Sequence, residues 1–258
     1  MTRWITGVAL ALILSLQSAA AGAWTLPRGT LQVYSGVTES QATQRYDSDG
    51  KTIGPVTFNK IYVQNWLEYG LTDAFTVFAV PQYVIAEIVR GQSIRAASVE
   101  AGGRLLLSKR FGMLSLQASA KTAGAFDMST SASGQAGRQW ELRLLYGTGF
   151  KLFRRDGFVD IEAAKRWIKR PRPDEVALDA TLGYWPTRAD LVLLQRFADI
   201  SAGGEQRPYE PYRQCKLEAS LVHRFTPHWS VQSGYLITTS GRNTVKESGY
   251  VAMIWFRM

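Results

Sequence analysis

The 258-residue sequence predicts an all-β fold, a single antiparallel up-and-down transmembrane β-barrel of about twelve strands. Three observations lead to this prediction. Side chains alternate with a period of two along most of the chain, short and long connections alternate between these segments, and the alternation continues to the last residue. A barrel needs such an ending, because its final strand must pair with its first to leave no open edge.

The last strand, Gly249 to Met258, carries the alternation most clearly. One face holds Tyr250, Ala252, Ile254, Phe256 and Met258, and the other holds Val251, Met253, Trp255 and Arg257. This pattern resembles the terminal signal of Gram-negative outer-membrane barrels, in which the last residue is usually Phe. Here the last residue is Met258, and Phe256 precedes it by two positions. We predict that Phe256 faces outward at the membrane interface and that Arg257 faces the lumen.

The segments before this strand are short enough to be strands, and no long helix separates them. Most are close to the length of about 9 to 11 residues that a tilted strand needs to cross a bilayer. Pro81 in the third segment predicts a bulge or a missing ladder bond. The predicted strands are Leu31–Thr38, Ile61–Leu71, Phe75–Ala86, Ala97–Ser108, Met113–Gly124, Trp140–Leu152, Phe158–Ile168, Val176–Tyr184, Leu191–Phe197, Gln214–Phe225, Trp229–Thr238 and Val245–Met258.

The connections alternate between tight turns and longer links. The predicted turns are Thr72–Ala74, Arg110–Gly112, Arg154–Gly157, Pro186–Arg188 and Thr226–His228. The longer links are Glu39–Asn59, Met128–Gln139 and Ser201–Tyr212. Short periplasmic turns and longer outer loops are typical of outer-membrane barrels, and an even strand count puts both chain ends on one side.

The N-terminal residues indicate export. A short basic start is followed by an apolar run of about a dozen residues, Ile5 to Leu16, which is too short to span a bilayer comfortably as a helix. Ala21-Gly22-Ala23 fits the small-x-small cleavage pattern, so we predict a signal peptide at residues 1–23 and a barrel domain at residues 24–258. The alternative is an uncleaved membrane anchor. The expected location is the outer membrane of a Gram-negative bacterium.

Composition excludes several classes of protein. A hydrophobic content of 46% with a mean hydropathy of -0.11 suits neither a helical membrane protein nor a disordered chain. The single cysteine, Cys215, cannot form an internal disulfide, and we interpret it as a lipid-facing or packed thiol. The net charge of +9 would suit a nucleic-acid binder, but the basic residues are scattered or lie in predicted turns. We therefore expect no nucleic-acid partner.

Alternation alone does not separate a membrane barrel from a lipocalin-like soluble barrel, because the two differ in which face looks outward. Three features favour the membrane barrel. The strands are longer than the about five or six residues usual in soluble sheets. The charges on the polar face nearly balance. Aromatic residues lie near strand ends, as in a membrane girdle. These aromatic residues are Trp140, Phe150, Trp167, Tyr184, Phe225, Trp229 and Phe256.

We predict that the charged side chains of the polar face line the lumen and form cross-strand ion pairs. The predicted lumen-lining residues are Glu68, Glu100, Arg104, Lys121, Glu141, Arg143, Asp160, Glu162, Arg166, Asp179, Arg196, Lys216 and Glu218, and the same face holds Lys151, Glu247 and Arg257. A twelve-strand barrel is wider than one that side chains can just fill and narrower than a general porin. Its lumen is therefore either blocked or a thin pore.

Catalytic interpretations find little support. Ser220 precedes His223 by three residues, which places the two side chains on opposite faces of a strand. The inward carboxylates of Asp160 and Glu162 could bind a cation or act as acid and base, but an ion-pair network with arginines is favoured. The chain has no phosphate loop, metal-ligand spacing or dinucleotide fingerprint. We predict no catalytic residue, cofactor or metal.

Two motifs carry a resemblance to a known family. With the closing strand, Ala23-Trp24-Thr25-Leu26-Pro27 and Leu67-Glu68-Tyr69-Gly70-Leu71-Thr72-Asp73 resemble segments of the outer-membrane proteins grouped with the MetA-pathway of phenol degradation family. The resemblance implies transport or uptake associated with hydrophobic or aromatic compounds. It identifies no ligand residues.

The favoured function is a narrow channel or transport barrel for small solutes. The alternatives are a structural or adhesive barrel without flux and an outer-membrane barrel enzyme. Expected partners are outer-membrane lipid and lipopolysaccharide, and the barrel assembly machinery through the C-terminal strand. The basic loop from Lys169 to Pro173 is expected to contact lipid phosphates.

Overall fold

The computed structural model describes residues 22–88, 92–122, 138–169, 173–201 and 210–258, and twelve antiparallel strands among them form one closed barrel. Each strand pairs with its neighbours in sequence, and the first pairs with the last. The strands are β1 (Leu31–Ala42), β2 (Phe58–Thr72), β3 (Phe75–Ile88), β4 (Gln92–Ser108), β5 (Met113–Lys121), β6 (Gln139–Leu152), β7 (Arg155–Ile168), β8 (Glu175–Tyr184), β9 (Asp190–Ser201), β10 (Tyr212–Arg224), β11 (Trp229–Arg242) and β12 (Ser248–Arg257). The predicted up-and-down barrel is confirmed. No helix in the described residues is long and apolar enough to cross a membrane.

Closure is carried by the closing strand that the sequence singles out. β12 pairs with β1 from Gln32 opposite Arg257 to Gln41 opposite Ser248. Beyond the ladder, the Leu31 N–H donates to the Met258 carbonyl at 3.1 Å and the Met258 N–H donates to the Leu31 carbonyl at 2.9 Å. The seam therefore remains bonded up to the last residue of the chain.

The longest connections lie at the end of the barrel opposite five short ones, as predicted, although the β3–β4 link at the long-loop end spans only residues 89–91. The links that follow β2, β4, β6, β8 and β10 contain two to five residues and lie at the end where β1 begins and β12 ends. In the β6–β7 turn, Phe153 and Arg154 have φ values of 49° and 63°, the left-handed pair that a two-residue hairpin requires. At the other end, residues 43–57 contribute Arg45–Tyr46 and Thr52–Ile53 to a small sheet with Thr244–Val245. The predicted links Met128–Gln139 and Ser201–Tyr212 lie mostly outside the described residues.

Several strands are longer than predicted at the long-loop end. β1 continues to Ala42 and β9 continues to Ser201, while β4 begins at Gln92. Polar residues on both faces hide the alternation there, although the backbone ladder continues. β5 ends at Lys121, and the predicted end of that strand at Gly124 lies outside the described residues.

Pro81 interrupts one ladder, as its missing N–H requires. The pairing between β2 and β3 passes from Gln64–Gln82 to Leu67–Ala79 and omits the positions between them, with the register unchanged. Pro81 remains paired with Val99 on the β4 side. Of the two predicted outcomes, the structure shows the missing bond without a bulge.

The outer wall of the barrel is apolar. Its exposed side chains include Leu67, Val99, Leu105, Leu144, Ile161, Leu182, Val192, Leu221 and Ile254. Aromatic pairs occupy both ends: Trp140 lies opposite Trp167 on the long-loop side, and Trp229 contacts Phe256 on the short-turn side with ring centroids 4.7 Å apart. An apolar wall between two aromatic rows suits lipid rather than water.

We expect Phe256→Asp to reduce the folded fraction, because it removes the contact with Trp229 and puts a carboxylate against lipid near a strand end. The folding cost near the interface is about 1 kcal/mol or less, and the larger effect is on assembly through the terminal strand. Heat-modifiable gel migration of the outer-membrane fraction measures it. Met258→Phe, the matched control, should assemble as well as the parent. Normal assembly of Phe256→Asp together with failure of Met258→Phe would contradict the interpretation.

Candidate functional site in the barrel lumen

The lumen contains a chamber of about 580 Å³ to which every one of the twelve strands contributes inward side chains. Most of its lining residues are polar. Besides charged groups it includes a set of amide side chains, Gln64, Gln82, Gln117, Gln139, Gln195, Gln214 and Gln232. A polar lining of this kind can exchange hydrogen bonds with water and with polar solutes.

Most of the predicted lumen residues lie in or beside this chamber. Those that line it are Glu100, Arg104, Lys121, Glu141, Arg143, Glu162, Arg166, Asp179, Lys216 and Glu218. Glu68 and Asp160 also point into the barrel, where both are buried and contact other inward groups. Cys215 lies between two chamber residues on β10 and therefore faces the outer wall, where it is half-buried.

The prediction for Arg196 is wrong. Gln195 and Phe197 line the chamber, so Arg196 between them points outward, where it is exposed. The lumen beside the first half of β9 is apolar, and Leu191 and Leu193 are buried there. Both faces of this part of β9 are consequently apolar, and the alternation of polarity does not indicate which one faces inward.

Arg143 holds three carboxylates on neighbouring strands. Its Nε lies 2.7 Å from Glu141, and its Nη1 lies 2.5 Å from Glu162 and 2.6 Å from Asp179. These residues lie on β6, β7 and β8, so one guanidinium ties three strands together across the lumen face. Charge-assisted bonds of this kind are the strong ones, and the bidentate geometry of arginine suits them.

Arg166 extends the network to two residues that the sequence analysis missed. Its Nε lies 2.6 Å from Glu141, and its Nη1 lies 3.3 Å from Glu175 and 2.7 Å from Asp199. Gln214 donates to the other Asp199 oxygen at 2.9 Å. Glu175 and Asp199 lie just beyond the predicted ends of β8 and β9. If the predicted strands had been extended to these residues, period-two spacing would have placed both side chains in the lumen.

A second ionic cluster lies near the long-loop end of the barrel. Glu247, which precedes β12, is 1% exposed and pairs with Lys216 and, at 3.1 Å, with Lys60. Ser40 donates to the same carboxylate at 3.3 Å. Burial alone would raise the pKa of Glu247, but the two ammonium groups lower it to about 2. The cluster joins β1, β2 and β10 to the segment that precedes the closing strand.

An apolar cluster packs inside the lumen near the short-turn end, and we call it the floor. Its buried members are Tyr34, Phe158, Leu191, Leu193, Val222 and Trp255, and Trp24, Trp66, Trp185 and Met253 pack against them. Trp24 meets Phe158 edge to face with ring centroids 5.5 Å apart. The floor lies on the short-turn side of the chamber, and five of its side chains also belong to the chamber lining, Tyr34, Trp66, Leu193, Met253 and Trp255. Sequence alternation missed it because its apolar residues face inward.

We call residues 22–30, which precede β1, the N-terminal segment, and its first residues lie inside the barrel. Ala23 bonds to β7 and β5, because its N–H donates to Asp160 at 2.8 Å and its carbonyl accepts from Ser115 at 2.5 Å. Closer to β1, the Leu26 N–H donates to Thr76 on β3 at 2.8 Å. The Gly29 N–H then donates to the Gly70 carbonyl on β2 at 2.8 Å. The segment therefore crosses the lumen from β7 to β1.

A buried arginine links this segment to the wall. Arg104 is 2% exposed and donates to the Trp24 carbonyl at 3.0 Å, to Glu68 at 2.9 Å and to Gln117 at 3.1 Å. All three contacts use different guanidinium nitrogens, so the side chain is well satisfied. Glu68 and Arg104 therefore act as a structural ion pair that seats the N-terminal segment.

The described residues hold no group of three or more His, Cys, Asp or Glu side chains arranged to bind a metal ion. His223 contacts Asp190 at 2.7 Å and is exposed on the outer wall, whereas Ser220 is buried in the lumen and bonds to Glu218 at 2.6 Å. Their separation on opposite faces agrees with the sequence analysis.

Comparisons with solved structures identify similar barrels. The COG4313 outer membrane channel from Pseudomonas putida F1 has a TM-score of 0.69 at 13% identity, covering 94% of this chain and 100% of that one. This chain has an outer-membrane barrel fold. The translocator domain of autotransporter NalP from Neisseria meningitidis has a TM-score of 0.57 at 12% identity, with coverages of 96% and 93%. The transport unit of the autotransporter AIDA-I from Escherichia coli has a TM-score of 0.50 at 9% identity, with coverages of 96% and 96%.

No family model and no curated protein matches the sequence. The resemblance to the MetA-pathway group therefore stays a prediction. At these low identities the structural likeness establishes the fold and leaves function to the residues of the lumen.

We expect Arg143→Met to destabilise the barrel by about 3 kcal/mol, because it leaves Glu141, Glu162 and Asp179 buried without their guanidinium. Arg196→Met is the matched control, since it changes the same side chain on the outer wall and should cost less than about 1 kcal/mol. Urea unfolding of both variants in lipid vesicles measures the difference. Equal losses would contradict the assignment of the two faces.

Proposed function

We propose that the protein is an outer-membrane barrel of a Gram-negative bacterium that acts as a narrow channel or transport barrel for small solutes. The observation that carries the proposal is the polar chamber, lined from all twelve strands. A barrel that only anchors or adheres has no need of an interior that can solvate a solute. The apolar outer wall and the two rows of aromatic residues support the membrane location.

The chamber favours cations over anions. Its described lining holds seven carboxylates and five cationic side chains. The carboxylates are Glu100, Glu141, Glu162, Glu175, Asp179, Asp199 and Glu218, and the cationic groups are Arg104, Lys121, Arg143, Arg166 and Lys216. Rings of acidic side chains in a narrow pore lower the energy of a passing cation.

The chamber also has an aromatic component. Tyr62, Trp66 and Phe197 belong to its lining, and the Trp66 ring stacks on Phe78 with centroids 5.2 Å apart. These rings offer an apolar contact surface beside polar groups, as small-molecule sites commonly do. They support the passage of solutes with an apolar or aromatic part.

A structural barrel without flux is the second candidate, and the floor favours it. The apolar cluster and the N-terminal segment pack inside the lumen on the short-turn side of the chamber, where they narrow the space available to a solute. An enzymatic barrel has no such support, since the exposed His223 and the buried Ser220 lie on opposite faces.

Lipopolysaccharide is the proposed partner of the basic loop, and the assembly machinery is the proposed partner of the C-terminal strand. Arg170, Pro171 and Arg172 of the basic loop lie outside the described residues.

Liposome swelling and planar-bilayer recordings of the refolded protein test the channel. We expect a small conductance and, in a potassium chloride gradient, a reversal potential that indicates cation preference. Glu100→Gln combined with Glu218→Gln should move the reversal potential close to zero, because the described lining would then hold five groups of each sign. Neither carboxylate belongs to the arginine network, so folding should be retained. Glu39→Gln on the outer wall is the control and should change nothing.

Trp24→Ala tests whether the floor limits flux. Trp24 packs against Phe158 and the rest of the floor, so its loss should open the short-turn end and raise the swelling rate several-fold. Phe153→Ala, in the exposed β6–β7 turn, is the control. No conductance from the parent or from Trp24→Ala would favour the structural barrel.

A further inference from the structure

Asp160 is buried in the lumen without a cationic partner among the described residues. Its side chain is 1% exposed, and none of the described lysine or arginine side chains lies within 4 Å of it. The Ala23 N–H donates to its Oδ2 at 2.8 Å. The Glu162 carboxyl on the same strand also hydrogen-bonds to it and adds negative charge, and Arg104 acts on it from beyond ion-pair distance. A buried carboxylate in these surroundings is costly to keep charged. A cation beside Asp160 would offset that cost.

The backbone of Gly22 packs directly against this carboxylate. A Cβ atom at position 22 would lie 2.7 Å from the Asp160 Oδ2 and 2.9 Å from its Cγ. A larger residue here would have to displace the Asp160 side chain, and the Gly22 nitrogen is one bond from the Cα atom at this position. An ammonium group on Gly22 would therefore lie within a few ångströms of Asp160, because the backbone bonds between these atoms are short.

Gly147 has no side chain, and this leaves room for Trp24 and for the contact between Gly22 and Asp160. A Cβ atom at position 147 would lie 3.0 Å from the Asp160 Oδ2 and 2.6 Å from the Trp24 ring. Gly147 lies on β6, directly opposite Asp160 in the ladder with β7. Two glycines on different segments thus allow the residues before Trp24 to reach one carboxylate.

The sequence holds a second processing motif that would leave Gly22 at the start of the chain. Ala19-Ala20-Ala21 is a small-x-small triplet, like Ala21-Gly22-Ala23 two residues later. Cleavage after Ala23 would remove the N–H donor to Asp160 and the carbonyl that accepts from Ser115. Cleavage after Ala21 retains both bonds and adds a positive charge beside Asp160.

We propose that the signal peptide is removed at the Ala21–Gly22 bond and that the α-ammonium group of Gly22 pairs with Asp160 inside the barrel. Water adds across this peptide bond, so Ala21 leaves with the new carboxylate and Gly22 keeps the nitrogen, which takes up a proton. An α-amino group has a usual pKa of about 8 and is protonated at neutral pH. The ion pair fixes the free end of the N-terminal segment next to the floor.

Intact-mass measurement of the protein purified from outer membranes tests the cleavage. We expect the mass of residues 22–258. A mass that lacks Gly22 and Ala23, or one that retains Met1, would overturn the proposal. This outcome does not depend on conductance, so a failure of the channel proposal leaves the processing proposal standing, and the reverse also holds.

Labelling with an N-hydroxysuccinimide ester near neutral pH tests the ion pair, with peptide mapping used to separate the α-amine from the lysines. We expect the Gly22 amine of the folded protein to react at least tenfold more slowly than that of the heat-unfolded protein. Asp160→Asn should raise the rate in the folded state several-fold. Asp156→Asn, an exchange of the same kind near the β7 turn, should leave it unchanged. Equal rates in the folded and unfolded parent protein would refute the pairing, whether or not Asp160→Asn folds.

Discussion

The closed backbone ladder is the constraint on which the rest of this structure depends. In a lipid environment every N–H and C=O of the wall needs a partner within the protein, and only a sheet that returns to its first strand provides one everywhere. β1 and β12 meet this requirement along their length, and bonds between Leu31 and Met258 extend the seam to the chain end. Closure gives each face of the sheet a single environment, so alternate side chains of every strand face either the lumen or the apolar outer wall.

Closing twelve strands creates an interior that the wall side chains do not fill completely. The chain fills it in three ways along the barrel axis. Aromatic and aliphatic side chains form the floor, the N-terminal segment crosses the lumen beside it, and ionic groups surround the chamber above. Several ion pairs fix each of two arginines in the chamber, Arg143 and Arg166, which share Glu141 and together bind residues on four strands. These contacts keep the chamber open by holding its charged side chains against the wall.

The N-terminal segment joins the architecture to the proposed function. Arg104 holds it through the Trp24 carbonyl, and Asp160 holds it through Ala23. Both anchors are polar side chains that face inward because of the barrel alternation. The segment therefore depends on the same periodicity that builds the wall, although it belongs to no strand. Its position beside the floor places it at the short-turn end of the proposed channel.

The sequence by itself determined the strand count, the closing strand, the end of the barrel that holds the short turns and most inward charges, because period-two alternation and turn composition are local properties. The sequence analysis did not assign Glu175, Asp199 and Lys60 to the lumen, because the alternation of polarity fades where the strands leave the apolar zone. Arg196 was assigned to the wrong face because β9 is apolar on both sides beside the floor. The floor and the path of residues 22–30 were decided by tertiary structure alone, since they depend on which strands face each other across the lumen, a relation that exists only once the sheet has closed.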